Sequence, residues 1–193
     1  MADLQTRLDK LEEEIKRPQF RQNKGLGNEI GYYVFDYPPE QELEVRERIA
    51  YMKHKNERGT EDYTLVVFDL YDIIIEILEE KGFFNKCIEF EKKKGFDQIT
   101  KAVGRTLKIT DEKGCLINLY IKEHTPENAI IFITGVGKSF PILRSHKILN
   151  SLHQVLDEVP VVMFFPGHYT GQELILFSEI KDDNYYRAFK LVD

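Results

Sequence analysis

Three continuous apolar runs constrain this chain more than any other feature. They are TLVVFDL (64–70), NAIIFITGV (128–136) and VPVVMFFPG (159–167). A strand with one wet face alternates apolar and polar residues, whereas a strand covered on both faces reads as an unbroken apolar run. Each run therefore predicts a strand buried on both faces. The segments between them have helical character. YDIIIEILEEKGFF and CLINLYIKEH read as helices, and IEFEKKKGFDQITKAVGRTLK as a helical stretch interrupted at Gly95 and Gly104. PILRSHKILNSLHQVLDE reads as an amphipathic helix with Leu149, Leu152, Val155 and Leu156 inward. Strands alternating with helices predict an α/β fold of three layers, a mostly parallel sheet flanked by helices.

The ends of the chain add detail. IGYYVFDY predicts a further strand ending at Asp36, and Pro38 with Pro39 opens the helix PPEQELEVRERIAYMKHK, since proline suits a first helical turn. Glutamates crowd its start and basic residues its end, in keeping with the helix dipole. ELILFSEI and YYRAFKLV read as two shorter strands joined by KDDN, with no helix between them. They predict a C-terminal antiparallel edge hairpin. Residues 2–17 read as a helix stopped by Pro18, with Leu4, Leu8, Leu11 and Ile15 on one face. So short a helix is marginal alone, so its stripe must dock, either on its own domain or on a partner. The expected organisation is an amphipathic helix over 1–18 and a single α/β domain over 19–193.

A chain of 193 residues can bury a core without a metal or disulfide staple. Its net charge of -6 argues against a nucleic-acid protein, which usually carries a basic stripe. Cys87 and Cys115 lack CxxC partners and read as small buried hydrophobes in a reducing compartment. The charged N-terminus MADLQTRLDKLEEE does not look like a signal peptide, and no apolar run reaches membrane-spanning length. The expected location is the cytoplasm.

The stretch IIFITGVGKSF (130–140) has the outline of a phosphate-binding loop. A Walker A loop needs GxxxxGK[ST], whose glycines let backbone amides face the anion while the lysine reaches the terminal phosphates. Gly137, Lys138 and Ser139 match its last three positions, but the first glycine is replaced by Phe132, inside the apolar run. The dinucleotide pattern GxGxxG fails at Phe140, and Asp157 lies before its strand rather than after it. What remains is a glycine turn from a central strand into a helix. His146 and His153 share a helix face but have no carboxylate or cysteine at ligand spacing, so no metal site is expected. Glu179 and Lys181 resemble the ExK half of a nuclease site, with Asp157 as an upstream acid; an ordinary ion pair reads more simply. Asp182 and Asp183 form a polar turn that could meet a cation or a partner's arginine, or serve only as turn residues.

Three blocks carry a family resemblance: GVGKSFPILRSHKILNSL, VPVVMFFPGHYTGQELILF and KDDNYYRAFKLV, preceded by YYVFDYPPEQELEVRERI with Asp36, Glu42, Glu44 and Arg46. From about Phe20 onward this succession resembles the BrxB family of BREX (bacteriophage exclusion) systems. The resemblance implies a part in antiphage defence, beside a methyltransferase, a large ATPase and the alkaline-phosphatase-like protein PglZ. It supplies no catalytic residues. It also leaves Lys138 incidental, since the family places other residues after its GVG turn.

The expected function is thus a non-catalytic assembly or adaptor subunit of a BREX-type complex. It would have no cofactor, a PglZ-like protein as closest partner, and DNA met only through partners if at all. The candidate surface comprises Asp36, Asp69, Gly135, Gly137, Arg144, His146 and His168 at the sheet's carboxyl edge, with Asp182 and Asp183 in the last turn. The Leu4–Leu8–Leu11–Ile15 stripe would be a second partner surface. Two alternatives stand beside this reading. One is a degenerate nucleotide binder using the Gly135–Gly137 turn with Arg144 or Lys138. The other is a nuclease-like protein using Glu179 and Lys181.

Overall fold

The computed structural model of the protein describes residues 3–22, 31–59, 61–182 and 188–192, with Asp182 described by its backbone alone. Helix α1 (Leu4–Ile15) starts at Asp3, whose carboxylate accepts from the Thr6 amide and so satisfies one of the helix's unpaired donors. The single turn α2 (Pro18–Arg21) follows. Strand β1 (Tyr32–Tyr37) leads through a 3-10 turn into α3 (Glu42–Glu57). Strand β2 (Thr64–Asp69) runs directly into α4 (Leu70–Glu80), followed by α5 (Phe84–Lys94), α6 (Phe96–Thr106) and α7 (Leu116–Glu123). After β3 (Ala129–Thr134) come the single turn α8 (Val136–Ser139), α9 (Ser145–Leu152) and the long strand β4 (Val161–Tyr169). The short strands β5 (Leu174–Leu176), β6 (Ile180–Asp182) and β7 (Phe189–Lys190) complete the chain.

The main sheet has the order β2-β3-β4-β1-β7, every neighbouring pair parallel. Alternation divides its side chains between two cores. On one face Phe35, Leu65, Phe132 and Phe164 pack against α1 and α3. On the other, Val34, Phe68, Ile131, Ile133 and Met163 pack against α4, α6, α7 and α9. The three-layer α/β expectation therefore holds. β3 and β4 account for their unbroken apolar runs: all of Ile130 to Ile133 and Val161 to Phe165 are buried.

Four local expectations are corrected. The run at 64–69 is an edge strand, and Val66 and Val67 are only half-buried; an apolar run does not say how many neighbours a strand has. A C-terminal antiparallel hairpin is present but is differently made. ELILFSEI turns back on itself, so that β5 pairs with β6 and with the end of β4. The last strand, β7, instead joins β1 in parallel. Asp183 and Asn184 of the expected turn lie outside the described residues. Gly95 does break a helix, at positive φ, but α6 runs through Gly104. The helix expected over 141–158 shortens to α9, although Leu149, Leu152 and Leu156 are buried as read.

The N-terminal stripe docks on its own sheet. Leu4, Leu8, Leu11 and Ile15 are 6%, 1%, 0% and 0% exposed and share one core with β1, β3, β4 and α3. Of the two places it could dock, the structure shows the first, and these side chains are not available as a partner surface. Glu12 holds the helix down from outside, pairing with Lys55 and Arg48 of α3, each at 2.7 Å. Leu11→Ala should therefore lower stability by about 2–5 kcal/mol, as for a core leucine, in a urea unfolding series. A stripe left waiting for a partner would change it by no more than about 0.5 kcal/mol.

Candidate functional site

In an open parallel sheet, ligands collect outside the carboxyl ends of the strands, where connections leave in opposite directions. Here that switch point lies between β1, whose chain crosses to β2, and β4, whose chain continues towards β7. Asp36 stands at the carboxyl end of β1, only 3% exposed. The Arg7 guanidinium donates to its Oδ1 at 2.7 Å, to its backbone carbonyl at 2.7 Å and to the Val192 carbonyl at 3.0 Å. Arg7 also stacks 4.8 Å from the Phe35 ring centroid. The other carboxylate oxygen accepts from the Tyr169 amide at 2.9 Å, with His168 Nδ1 and Lys190 Nζ each at 3.4 Å. A buried carboxylate must be paired and hydrogen-bonded to persist, and this one is. The switch point is consequently filled by protein groups.

Asp69 ends β2 and caps α4, its Oδ1 accepting from the Tyr71 amide at 3.0 Å and the Asp72 amide at 3.3 Å. Its Oδ2 faces Lys138 Nζ at 2.7 Å, and Asp72 holds the same ammonium at 3.2 Å. Partial burial works against the Lys138 ammonium, but the hydrogen bonds and charges of Asp69 and Asp72 outweigh it and raise its pKa. Gly135 lets these groups approach. Its φ is +74°, and a Cβ there would stand 2.2 Å from Asp69 Oδ1. Ser139 turns inward and donates to the Val136 carbonyl at 3.0 Å. The GKS triplet is thus spent on a βα turn: its lysine faces two carboxylates, and its hydroxyl is buried. Gly137 sits against the Phe177 ring, which a Cβ would approach to 2.9 Å.

The remaining candidates are dispersed. His168 is half exposed at the rim of the Asp36 cluster. Arg144 precedes α9 and borders a narrow crevice with Phe140, Leu143 and Leu174. His146 is buried on α9 and opens onto a separate hollow of about 220 Å³ with Glu112 and Lys147. His153 instead meets the Tyr32 ring edge-on, 6.4 Å between centroids. Among the described residues no group of three or more His, Cys, Asp or Glu could hold a metal ion. Asp182 pairs with Leu174 through β6, and Asp183 is outside the described residues. Lys181 pairs with Glu173 at 2.8 Å. Asp157 precedes β4, whereas Glu179 follows β5, which pairs with the far end of β4, so the two acids of the nuclease-like alternative lie at opposite ends of that strand.

A wide opening runs along the outer edge of β2. It is a cleft of about 550 Å³ floored by Val66 to Asp69, with Arg46, Ile49 and Lys53 of α3 on one wall and Asp72 and Glu76 of α4 on the other. Tyr120 of α7 and His124, which caps that helix, stack within it, their ring centroids 4.1 Å apart. Burial, aided by a hydrogen bond and the charge of Glu76, pushes the Tyr120 phenol up to about 12. A second hollow of about 460 Å³ continues along the same edge past Lys53 to Tyr63 and Glu61.

Sequence reasoning missed Arg7, Lys190 and the β2 cleft. Arg7 was legible: it falls inside the Leu4, Leu8, Leu11, Ile15 stripe, where a lone charge at helical spacing calls for a buried counter-charge. Nothing local could mark Lys190 or the cleft, which depend on strand order.

Fold and site together define an α/β protein whose sheet end is closed by its own ion pairs and whose open surface is a strand edge. The sequence model described as "BREX protein BrxB" matches residues 66–191. A protein named BREX protein BrxB from Bacillus cereus (strain H3081.97) is 53% identical over 195 residues, with all of both chains covered. Another of that name from Escherichia coli O9:H4 (strain HS) is 33% identical over 192 residues, 98% of this chain and 92% of that one. No solved structure matches the chain. The chain belongs to the BrxB family, components of BREX bacteriophage-exclusion systems. Among the described residues no helix is long and apolar enough to cross a membrane.

The buried pair predicts a specific pattern of stabilities. Arg7→Met and Asp36→Asn should each cost about 3–5 kcal/mol, because each strands a buried partner. The double variant should cost less than the sum, with a coupling of about 0.5–3 kcal/mol in a double-mutant cycle read by urea unfolding.

Proposed function

We propose that this chain is a non-catalytic assembly subunit of a BREX-type antiphage complex and that it binds the PglZ-like, phosphatase-fold component. One observation carries the reading: the polar groups at the sheet's ligand-binding end are consumed by one another, while the later part of a strand edge, beyond Asn56, stays open. Asp36 faces Arg7, and Asp69 with Asp72 faces Lys138. A nucleotide's phosphates would have to displace two carboxylates to reach that lysine, and like charges disfavour the exchange. An accessible strand edge instead suits protein recognition through main-chain hydrogen bonds. The reading places the protein in the cytoplasm and in reach of DNA only through its partners.

Co-expression with the PglZ-like protein of the same locus, with only one chain tagged, tests it. The expected result is a co-eluting complex of defined stoichiometry by light scattering. Separate elution at micromolar concentrations would sink the proposed pair. In calorimetric titrations with ATP or GTP and magnesium, the expected result is no saturable heat. Saturable binding lost in Gly137→Asp would instead establish the nucleotide-binding alternative.

A further inference from the structure

We infer that the open edge of β2 receives an extended segment of a partner protein whose acidic and basic residues alternate, adding a strand beside Val67. The inference rests on the assembly reading and names how the partner is held.

Main-chain geometry sets the floor. The Thr64 amide donates to the Asn128 carbonyl, on the β3 side. Successive residues of a strand point their amides to opposite edges, so Leu65, Val67 and Asp69 point theirs to the outer edge. At its start that edge is already occupied. Asn56 of α3 accepts from the Leu65 amide at 2.8 Å and donates to the Tyr63 carbonyl at 2.8 Å. Its carboxamide stands where a neighbouring strand's peptide group would stand. Beyond it, the Leu65 carbonyl, both groups of Val67 and the Asp69 amide face the 550 Å³ cleft, and no described strand pairs with them. Proteins usually blunt such edges; here only the first part is blunted, and the rest lies between two walls.

The walls choose the occupant. Arg46 and Lys53 line the α3 side, with side chains 48% and 47% exposed. Asp72, with its side chain 71% exposed, and Glu76 line the α4 side, and Lys138, also in the lining, holds Asp72 at 3.2 Å in a pair exposed enough to exchange. Neighbouring carboxylates already touch the two cations, Glu42 at 2.7 Å from Arg46 and Glu57 at 3.9 Å from Lys53. Exposed pairs of that kind are weak and exchange readily. A second copy pairing antiparallel about a two-fold axis would set α3 against α3 and α4 against α4, so that like charge faces like. A different chain avoids this. Successive side chains of an added strand point to opposite faces. One set would meet Arg46 and Lys53 and should be acidic, and the other would meet Asp72 and Glu76 and should be basic. The apolar parts of Ile49, Ile73 and Tyr120 complete the groove.

The test uses the full chain in complex with components of its own BREX locus. Hydrogen exchange at the Val67 amide should slow at least tenfold in the complex. Val67→Pro removes the outward amide at an edge position that tolerates proline, and should weaken the complex at least tenfold. Lys53→Glu and Glu76→Lys should each weaken it several-fold. If Val67→Pro fails to fold, exchange in the unaltered chain decides alone. A complex that forms with unchanged Val67 exchange would overturn the strand-addition inference and leave the assembly reading intact. Slowed exchange with neither charge variant weakened would overturn the alternating-charge occupant. Absence of a complex with every component would overturn both.

Discussion

The buried pair between Arg7 and Asp36 is the interaction on which the rest of the structure depends. A guanidinium and a carboxylate taken out of water stay charged only if each meets its counterpart and its remaining hydrogen-bonding needs. The pair and its hydrogen bonds meet these needs except at Arg7 Nε, which is buried with no hydrogen-bond partner, and the groups involved come from distant parts of the chain. Arg7 belongs to the first helix, Asp36 to the first strand, Tyr169 to the end of β4, and Lys190 with Val192 to the C-terminus. One ion cluster therefore brings both ends of the chain to the same point on the sheet. It also plugs the crevice in which a sheet of this topology would otherwise hold a ligand.

A second consequence follows at the opposite flank. Charge left at the carboxyl edge, on Asp69, Asp72 and Lys138, is likewise paired within the protein. The glycine turn that resembles a phosphate loop serves close packing, because Gly135 must lack a side chain for Asp69 to reach its place. With both polar clusters internally satisfied, the chemistry left to solvent is that of a strand edge and its charged walls. On the proposed reading, such a surface would meet backbone and alternating side chains rather than a small anion. This accords with membership of the BrxB family, components of BREX systems.

How much of this was legible in the sequence depends on the range over which each feature is specified. The apolar runs at 130–133 and 161–165 announced central strands, because burial on both faces leaves no polar position to alternate with. The Leu4–Ile15 stripe announced an amphipathic helix, and Pro18 its end. The incomplete GxxxxGKS pattern was sufficient to doubt a phosphate loop before any geometry was known. TLVVFDL misled for a physical reason: an edge strand that lines a walled cleft is nearly as apolar as a central one. The C-terminal segment misled for another. A turn at Phe177 to Glu179, with Phe177 and Ser178 at positive φ, folds 174–182 back on itself, and neither residue type advertises such a turn.

The sequence by itself determined, through its likeness to relatives, the family to which the chain belongs, and through its periodicity the elements and the three layers. These follow from local preferences and from residues near one another in the chain. The tertiary structure alone decided adjacency. It set β2 at the edge, seated the first helix on its own sheet, sent β7 to lie beside β1, and brought Arg7 to Asp36 and Lys138 to Asp69. The physical reason is that pairing a strand or burying an ion requires a counterpart distant in sequence. That choice is made by the whole core at once, through the burial that each arrangement permits and the polar groups it leaves unsatisfied.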